Sequence, residues 1–155
     1  MTAQLVRLLS SAMDDDVRAA LDQMNDASDF LRLLSYEVTE ADGHHVDGWF
    51  EATPAHHQPF GLVHGGVYAS IVETFASIGG WLAVREQGMS AVGIANSTDF
   101  LRPERGGRME VRAQALHQGR GQQIWEVVIT RAETGKKVAL GRLRLQNVPA
   151  ESPAP

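Results

Sequence analysis

His64 to Glu86 reads HGGVYASIVETFASIGGWLAVRE, and this stretch decides the fold of the chain. Apolar side chains recur at helical spacing and cover most of the circumference of a helix predicted over about Val67 to Glu86. A helix that is apolar nearly all round is buried by the rest of its protein. The glycine pair Gly79-Gly80 in its interior indicates that another element approaches its backbone closely.

The wider apolar stretch, Gly61 to Val84, does not read as a membrane span. It contains His64, Glu73 and five glycines. Ionisable and helix-weakening residues in that number are rare in a helix that crosses a bilayer. The sequence therefore predicts a core helix, and we expect no membrane partner.

Strand-like segments lie on both sides of this helix. Before it come Ser35 to Ala41 and His44 to Thr53, joined at the hairpin signal Asp42-Gly43. After it come four more: Ala91 to Leu101, Arg108 to His117, Gln122 to Ala132 and Lys137 to Asn147. Strands joined by hairpins form an antiparallel sheet. A curled sheet of about six strands wrapped around one long helix, an α+β architecture, buries that helix most economically.

The chain of 155 residues fits one domain with short additions at both ends. We predict an N-terminal helical extension over residues 1–29, because Leu5, Leu8, Leu9, Val17, Leu21 and Met24 recur at helical spacing. Ser28-Asp29 is expected to cap another short helical turn that runs to Leu34. The single domain is predicted over residues 30–148, and a disordered tail over residues 149–155.

Charge and cysteine content exclude several classes of function. The chain carries 14 basic and 19 acidic residues, a formal net charge of −5, which disfavours nucleic acid and anionic membrane surfaces as partners. It has no cysteine, which excludes disulfides, a cysteine nucleophile and thiolate zinc sites. No signal peptide is recognisable, and we expect a cytoplasmic protein. The histidine pairs His44-His45 and His56-His57 do not imply a shared metal site, because neighbours on a strand point to opposite faces.

Glu73 is the most informative single residue. It lies in the middle of a helix that is otherwise uncharged from Val67 to Val84. A carboxylate among apolar side chains needs partners or a cavity, and such groups in clefts are candidates for catalysis. The structural alternative is a side chain that points to solvent or pairs with an arginine. Ser77 follows at i+4 and so projects from the same helix face, where its hydroxyl could hold a water.

The helix entry, His64-Gly65-Gly66, offers a second candidate group. The first amides of a helix lack intrahelical partners and carry the positive end of its dipole. Glycine lets a ligand oxygen approach closely, so this turn could serve as an oxyanion hole; it could equally be a turn that requires glycine. Gly65 and Glu73 are about 12 Å apart along the helix. Since one carbonyl cannot reach both, their joint action predicts a dimer with two equivalent sites.

Other motifs are weak or missing. Gln58, in the loop before the helix, could orient a carbonyl or a water. Arg102 and Arg120 lie at strand ends or turns, where arginine suits phosphate recognition, although solvated charge explains either one alone. There is no G-x-S-x-G serine elbow, no phosphate-binding loop and no dinucleotide-binding glycine motif in the sequence.

Taken together, the residues resemble a known family. The run from Gln58 to Gly66, QPFGLVHGG, followed by Glu73-Thr74 and Ser77, resembles the hot-dog-fold acyl-CoA thioesterases, most closely the PaaI-like branch and the Arthrobacter-type 4-hydroxybenzoyl-CoA thioesterases. NSTDFLRP, from Asn96 to Pro103, is similar to the strand after the central helix in that family. The resemblance covers about residues 30–147.

The resemblance implies a function and roles for the site residues. It implies hydrolysis of an acyl- or aroyl-CoA thioester, with Glu73 as general base or nucleophile and the Gly65 amide of a neighbouring subunit as oxyanion donor. Gln58 and His64 would place the thioester, and Ser77, where the family often has threonine, would position water. Coenzyme A would contact Gly66, Arg102, Arg120, Gly121 and Gln122. It would be substrate, with no cofactor or metal, in a homodimer that pairs into a homotetramer.

Two alternatives stay open from the sequence. A hot-dog enoyl-CoA hydratase or dehydratase would pair His57 or His64 with Glu73 as acid and base. A non-catalytic acyl-CoA-binding or regulatory protein would bind the same ligand without turning it over.

Overall fold

The computed structural model describes residues 13–151. Two helices, α1 (Asp15–Asp26) and α2 (Asp29–Leu34), precede the first strands, β1 (Tyr36–Ala41) and β2 (His45–Ala52). The long helix α3 (Gly65–Val84) follows, and then β3 (Met89–Phe100), β4 (Gly107–Gln118), β5 (Gln122–Arg131) and β6 (Lys137–Pro149). Single 3-10 turns, Pro54–His56 and Arg85–Gln87, lie before and after α3.

The N-terminal helices have clear local causes. The Ser28 side chain accepts a hydrogen bond from the Leu31 N–H, so Ser28 caps α2 as predicted. In α1, Val17 and Leu21 face the core at helical spacing. The first part of the predicted extension, with Leu5, Leu8 and Leu9, lies outside the described residues, as does most of the predicted tail. The domain boundary at residue 29 stays a prediction.

The six strands form one antiparallel sheet in the order β1-β2-β4-β5-β6-β3. β3 enters after α3 and pairs with β6, so it lies at the edge opposite β1. The free side of β3 carries backbone groups without a partner strand in residues 13–151. An unpaired edge twelve residues long offers a surface on which another strand can pair.

The sheet curls around α3, which packs against its concave face. Gly79 and Gly80 meet the Trp125 ring of β5 and the Leu145 side chain of β6, and a Cβ at either position would overlap them. Trp125 and Leu145 are fully buried at this contact. The predicted close approach at the glycine pair is therefore confirmed, and so is the expected architecture of a long helix wrapped by a curled sheet.

α3 is the one helix in residues 13–151 long and apolar enough to span a membrane by length and composition. Its apolar side chains Ile71, Val72, Phe75 and Ile78 pack into the core of the sheet. The apolar character of α3 is thus explained by the fold. One stripe of α3, with Glu73, Thr74 and Ser77, stays only half-buried, because the sheet does not close over it.

Candidate functional site

The Glu73 carboxylate is held at one oxygen. Its Oε2 accepts a hydrogen bond from Asn96 Nδ2 at 3.0 Å, and the same Nδ2 donates to the Ala69 carbonyl oxygen at 3.0 Å. The Thr98 hydroxyl donates to Asn96 Oδ1 at 2.8 Å. Within residues 13–151 no hydrogen bond reaches Glu73 Oε1, so this oxygen is free to act on a ligand.

An irregularity in β3 brings this strand onto Glu73. The register with β6 shifts between Gly93 and Ala95, which marks a β-bulge. Residues three apart then face the same side of the sheet, so Gly93 and Asn96 both lie against Glu73. A Cβ at Gly93 would overlap Glu73 Oε1, so only glycine leaves room for the carboxylate here.

Two cavities open beside Glu73. One, of about 440 Å³, is bounded by Met24 of α1, Leu31 of α2, Tyr36 of β1 and Trp81 of α3, with Ser77 and Glu73 on its polar side; we call it the Trp81 cavity. The other, of about 570 Å³, lies on the opposite side of Glu73 and is lined by Phe30, Asn96, Thr98 and Phe100. Helix α2 thus supplies walls to both cavities and α1 to the Trp81 cavity, a role that the sequence did not predict.

At the helix entry, the backbone amides of Gly65 and Gly66 differ in their hydrogen bonding. His64 Nδ1 accepts the Gly66 N–H at 2.8 Å and caps α3, so the Gly66 amide is occupied and the other ring nitrogen of His64 bears the hydrogen. In the part of the chain described, the Gly65 N–H donates to no acceptor. A free amide at a helix N-terminus is the better anion donor of the two.

The surroundings of Gly65 form a third, smaller cavity. It has about 280 Å³ and is lined by Gln58, Gly65, Tyr68, Phe100 and Arg102. The Gln58 side-chain oxygen accepts from the Phe60 N–H, so the Gln58 NH₂ group is left to donate to a ligand. The Phe100 ring lies over Gly65, where a Cβ would be 2.7 Å from two ring carbons.

The structure does not bring all the predicted site residues together in one chain. Glu73 and Ser77 share the Trp81 cavity, whereas Gln58, Gly65 and Arg102 surround the cavity at the helix entry. His64 begins the helix and points to Gly66, more than two turns from Glu73. His57 Nε2 contacts the Arg105 carbonyl oxygen at 2.5 Å. Neither histidine forms an acid–base pair with Glu73 within the chain.

Arg120, Gly121 and Gln122 lie still farther away. The Asn147 amide donates to the Arg120 carbonyl oxygen at 3.1 Å, and Asn147 pairs with Ala91 at the start of β3. Arg102 follows the other end of β3. At about 3.3 Å per strand residue, Arg102 and this turn are roughly 35 Å apart. A single chain therefore cannot offer both arginines to the same phosphate group.

We predict no metal site. The described residues contain one cluster of side chains that could act as metal ligands. The ligand atoms of Glu40, His45 and Asp47 lie within 4.8 Å of one another on the β1–β2 hairpin. Both Asp47 oxygens already accept hydrogen bonds from Arg112, at 3.1 and 3.0 Å. The arginine neutralises the charge that a cation would need. The cluster lies on β1 and β2, whereas Glu73 lies on α3.

Comparisons with known proteins agree with this geometry. Residues 60–138 match the family described as the thioesterase superfamily. Over 119 residues, 76% of this chain and 84% of the relative, the chain is 40% identical to Rv1847 of Mycobacterium tuberculosis, whose name describes an esterase. The crystal structure of thioesterase HI1161 from Haemophilus influenzae matches with a TM-score of 0.77 and 29% identity, over 87% of this chain and 92% of that one.

A likeness of fold alone extends to PaaI of Escherichia coli. Its structure superposes with a TM-score of 0.72 at 24% identity, over 86% of this chain and 94% of that one. The expected hot-dog fold is confirmed, and the likeness to PaaI holds for the fold alone. The narrower similarity to Arthrobacter-type 4-hydroxybenzoyl-CoA thioesterases stays a prediction, as do the roles of the individual site residues.

The matched residues include the helix entry, Glu73, Ser77 and the whole of β3. They contain every group that lies around the free oxygen of Glu73 except the walls given by α1, α2 and β1. The expectation of an enzyme that hydrolyses thioesters is confirmed at the level of the family. By fold and sequence, this chain belongs to the thioesterase superfamily.

Proposed function

We propose that the protein hydrolyses acyl- or aroyl-CoA thioesters to the free acid and coenzyme A, with Glu73 as the catalytic carboxylate. The observation that supports this most is the carboxylate itself, half-buried between two cavities with one oxygen held and the other free. Such a group can take a proton from water or attack a carbonyl carbon directly.

Both versions of the reaction balance with this chain's own groups. As a base, Glu73 accepts a proton from water while the water oxygen bonds to the thioester carbon. The tetrahedral oxyanion collapses, the C–S bond breaks, and the thiolate of coenzyme A receives that proton. As a nucleophile, Glu73 displaces the thiolate and forms an anhydride, which water then hydrolyses to the acid and the carboxylate. Ser77, one turn along the helix, is proposed to hold the attacking water.

The Trp81 cavity is the proposed site for the acyl group. Its walls are the apolar side chains of Met24, Leu31 and Trp81, and Glu73 lies at its polar side. A volume of about 440 Å³ corresponds to roughly fourteen water-sized groups at about 30 Å³ each. Aroyl groups and acyl chains of medium length fit this space.

The oxyanion donor is proposed to come from a second copy of the chain. Gly65 lies beside Phe100, and Glu73 lies beside Gly93 and Asn96. If two β3 edges pair antiparallel, Phe100 of one copy must lie opposite residues 93–96 of the other to bring Gly65 to Glu73. The two-fold axis then passes at or next to Ser97. The exposed apolar side chains Val92 and Ile94 on this edge would be covered in the pair.

The same pairing would unite the separated arginines. With the axis at Ser97, Arg102 of one copy lies opposite Val92 of the other, close to the Arg120-Gly121-Gln122 turn beside Ala91. Coenzyme A phosphates would then bind across the interface, with no metal or other cofactor required. A further association into a dimer of dimers and a cytoplasmic location complete the proposal.

The first test measures release of the coenzyme A thiol from benzoyl-, phenylacetyl- and straight-chain acyl-CoA esters. Glu73→Ala should lower kcat at least 100-fold, about 3 kcal/mol of barrier. Glu86→Ala, which removes an exposed carboxylate from the end of the same helical segment, should stay within twofold of the wild-type enzyme. Both variants are first compared with it by circular dichroism and oligomeric state.

Other outcomes would redirect the assignment. If the wild-type protein binds the esters without releasing thiol, the proposed function changes from a thioesterase to a protein that only binds acyl-CoA. Hydration of an enoyl-CoA would favour the hydratase, although neither His57 nor His64 pairs with Glu73 within the chain. A single turnover in ¹⁸O-labelled water that leaves Glu73 unlabelled would argue for the general-base route.

A further inference from the structure

The Asn96 side chain is oriented without ambiguity by its three contacts. Its Nδ2 faces two oxygens that can only accept, those of the Ala69 carbonyl and the Glu73 carboxylate, at 3.0 Å each. Its Oδ1 faces the Thr98 hydroxyl, which can donate, at 2.8 Å. A flipped amide would place its oxygen against two acceptors, so the hydrogen-bond network itself fixes the assignment.

This oriented amide acts on one carboxylate oxygen only. The Asn96 NH₂ group holds Oε2, whereas Oε1 lies over the bare Cα of Gly93 and receives no hydrogen bond within residues 13–151. The bulge between Gly93 and Ala95 is what turns both residues toward the helix. Bulges beside active sites commonly re-aim a side chain in this way.

We propose that Asn96 is a positioning residue that fixes the Glu73 carboxylate through Oε2, so that Oε1 is the reacting oxygen, and that Thr98 keeps the Asn96 amide in the required orientation. This inference rests on the proposed thioesterase function. It assigns a role in the reaction to the bulged edge strand, beyond the carboxylate, the helix entry and the pairing of two copies.

The activity of four variants tests the assignment. Asn96→Ala should lower kcat about 10- to 100-fold and change KM less than threefold, because the substrate still binds while the carboxylate loses its alignment. Asn96→Asp keeps the size but replaces the donor with an acceptor, so it should be at least as impaired. Thr98→Val should lose about 3- to 10-fold. Thr39→Val, which removes an exposed hydroxyl on β1 that donates to the Asp47 carbonyl oxygen, serves as the control and should keep wild-type kcat.

A double-mutant cycle separates positioning from a general structural role. If Asn96 acts through Glu73, adding Asn96→Ala to Glu73→Ala should change the remaining rate less than twofold. A loss of the same factor in both backgrounds would overturn the proposal, and so would wild-type kcat in Asn96→Asp.

An NMR measurement that needs no turnover tests the proposal even if the thioesterase assignment fails. The side-chain NH₂ resonances of Asn96, identified by their loss in Asn96→Ala, should shift in Glu73→Ala. Those of Asn147, which donates to the Gly119 and Arg120 carbonyl oxygens of the turn between β4 and β5, should not. Unmoved Asn96 resonances would show that the contact is absent, whether or not the wild-type protein hydrolyses any ester.

Discussion

At the scale of single residues, the hydroxyl of Tyr68 stands out as a polar group without a partner. Tyr68 is 2% exposed, and within the described residues its oxygen has no hydrogen-bond partner. Burial, and then the negative charge of Glu104, raise the pKa of Tyr68 to about 12, although Arg131 opposes the shift. The folded state therefore holds the phenol in its neutral form well above the usual pKa of 10.

Tyr68→Phe is expected to stabilise the protein. A buried hydroxyl without a partner costs about 1–3 kcal/mol, so the free energy of unfolding at pH 7 should rise by about 1 kcal/mol or more. Because the folded pKa is raised, wild-type stability is complete below pH 10 and is lost as the pH rises from about 10 to about 12. The advantage of Tyr68→Phe should therefore grow between pH 7 and pH 11 in urea unfolding.

Tyr36→Phe is the matched control for that experiment. The Tyr36 hydroxyl donates to Asn25 Oδ1, so its removal should lower the free energy of unfolding at pH 7, by about 1 kcal/mol. Equal destabilisation of the protein by Tyr68→Phe would mean that the Tyr68 hydroxyl has a partner after all.

At the scale of elements, the regular spacing of apolar residues made the fold predictable. The site, in contrast, depends on a bulge that interrupts this spacing in β3. The long helix and the six strands follow from spacings of 3.6 and 2 residues. The bulge at Gly93 breaks the alternation of β3, and nothing in the pattern of Ala91 to Leu101 indicates where. The sequence therefore shows Asn96 within the family-like run NSTDFLRP but does not identify it as a partner of Glu73.

The docking of α1 and α2 beside Glu73 was also out of reach of the sequence. Helical spacing predicted that these helices exist, but it carries no information on which face of α3 they cover. They lie outside residues 60–138, the part matched to the family. Met24 of α1 nevertheless lines the same cavity as Glu73, so we expect this extension to influence which acyl group binds.

Changes at Met24 should alter the choice of acyl chain. Met24→Trp should reduce the volume of the Trp81 cavity, so kcat/KM should fall about tenfold for the longest accepted acyl-CoA and less than threefold for acetyl-CoA. Met24→Ala should shift the preference toward longer chains, because kcat/KM should increase about fourfold for each methylene newly buried. Leu33→Ala removes an exposed apolar side chain of α2 outside this cavity and should leave the profile unchanged. An unchanged profile in both Met24 variants would place the acyl group elsewhere.

At the scale of the whole molecule, the pairing of two copies would explain both the separation of the site groups and the β3 edge without a partner strand in residues 13–151. Gly65 and Glu73 are too far apart in one chain to act on one carbonyl, and Arg102 is too far from Arg120 to bind the same phosphate. Antiparallel pairing of two β3 edges about Ser97 would correct both separations at once. A different register could correct one of them but would leave the other.

This register can be tested with a single cysteine, because the chain contains none. A residue at the two-fold axis faces its own copy, so Ser97→Cys should form a disulfide-linked dimer under mild oxidation, since opposed Cβ atoms on antiparallel strands are about 4.5–5.5 Å apart. Ser90→Cys, near the start of β3, would lie opposite residue 104 and should stay unlinked. Non-reducing electrophoresis gives the yield, and sedimentation of the wild-type protein shows whether the dimer exists without the link. Efficient cross-linking at residue 90 but not at 97 would move the axis toward the start of the strand, and Gly65 would then lie too far from Glu73 to act on the same carbonyl.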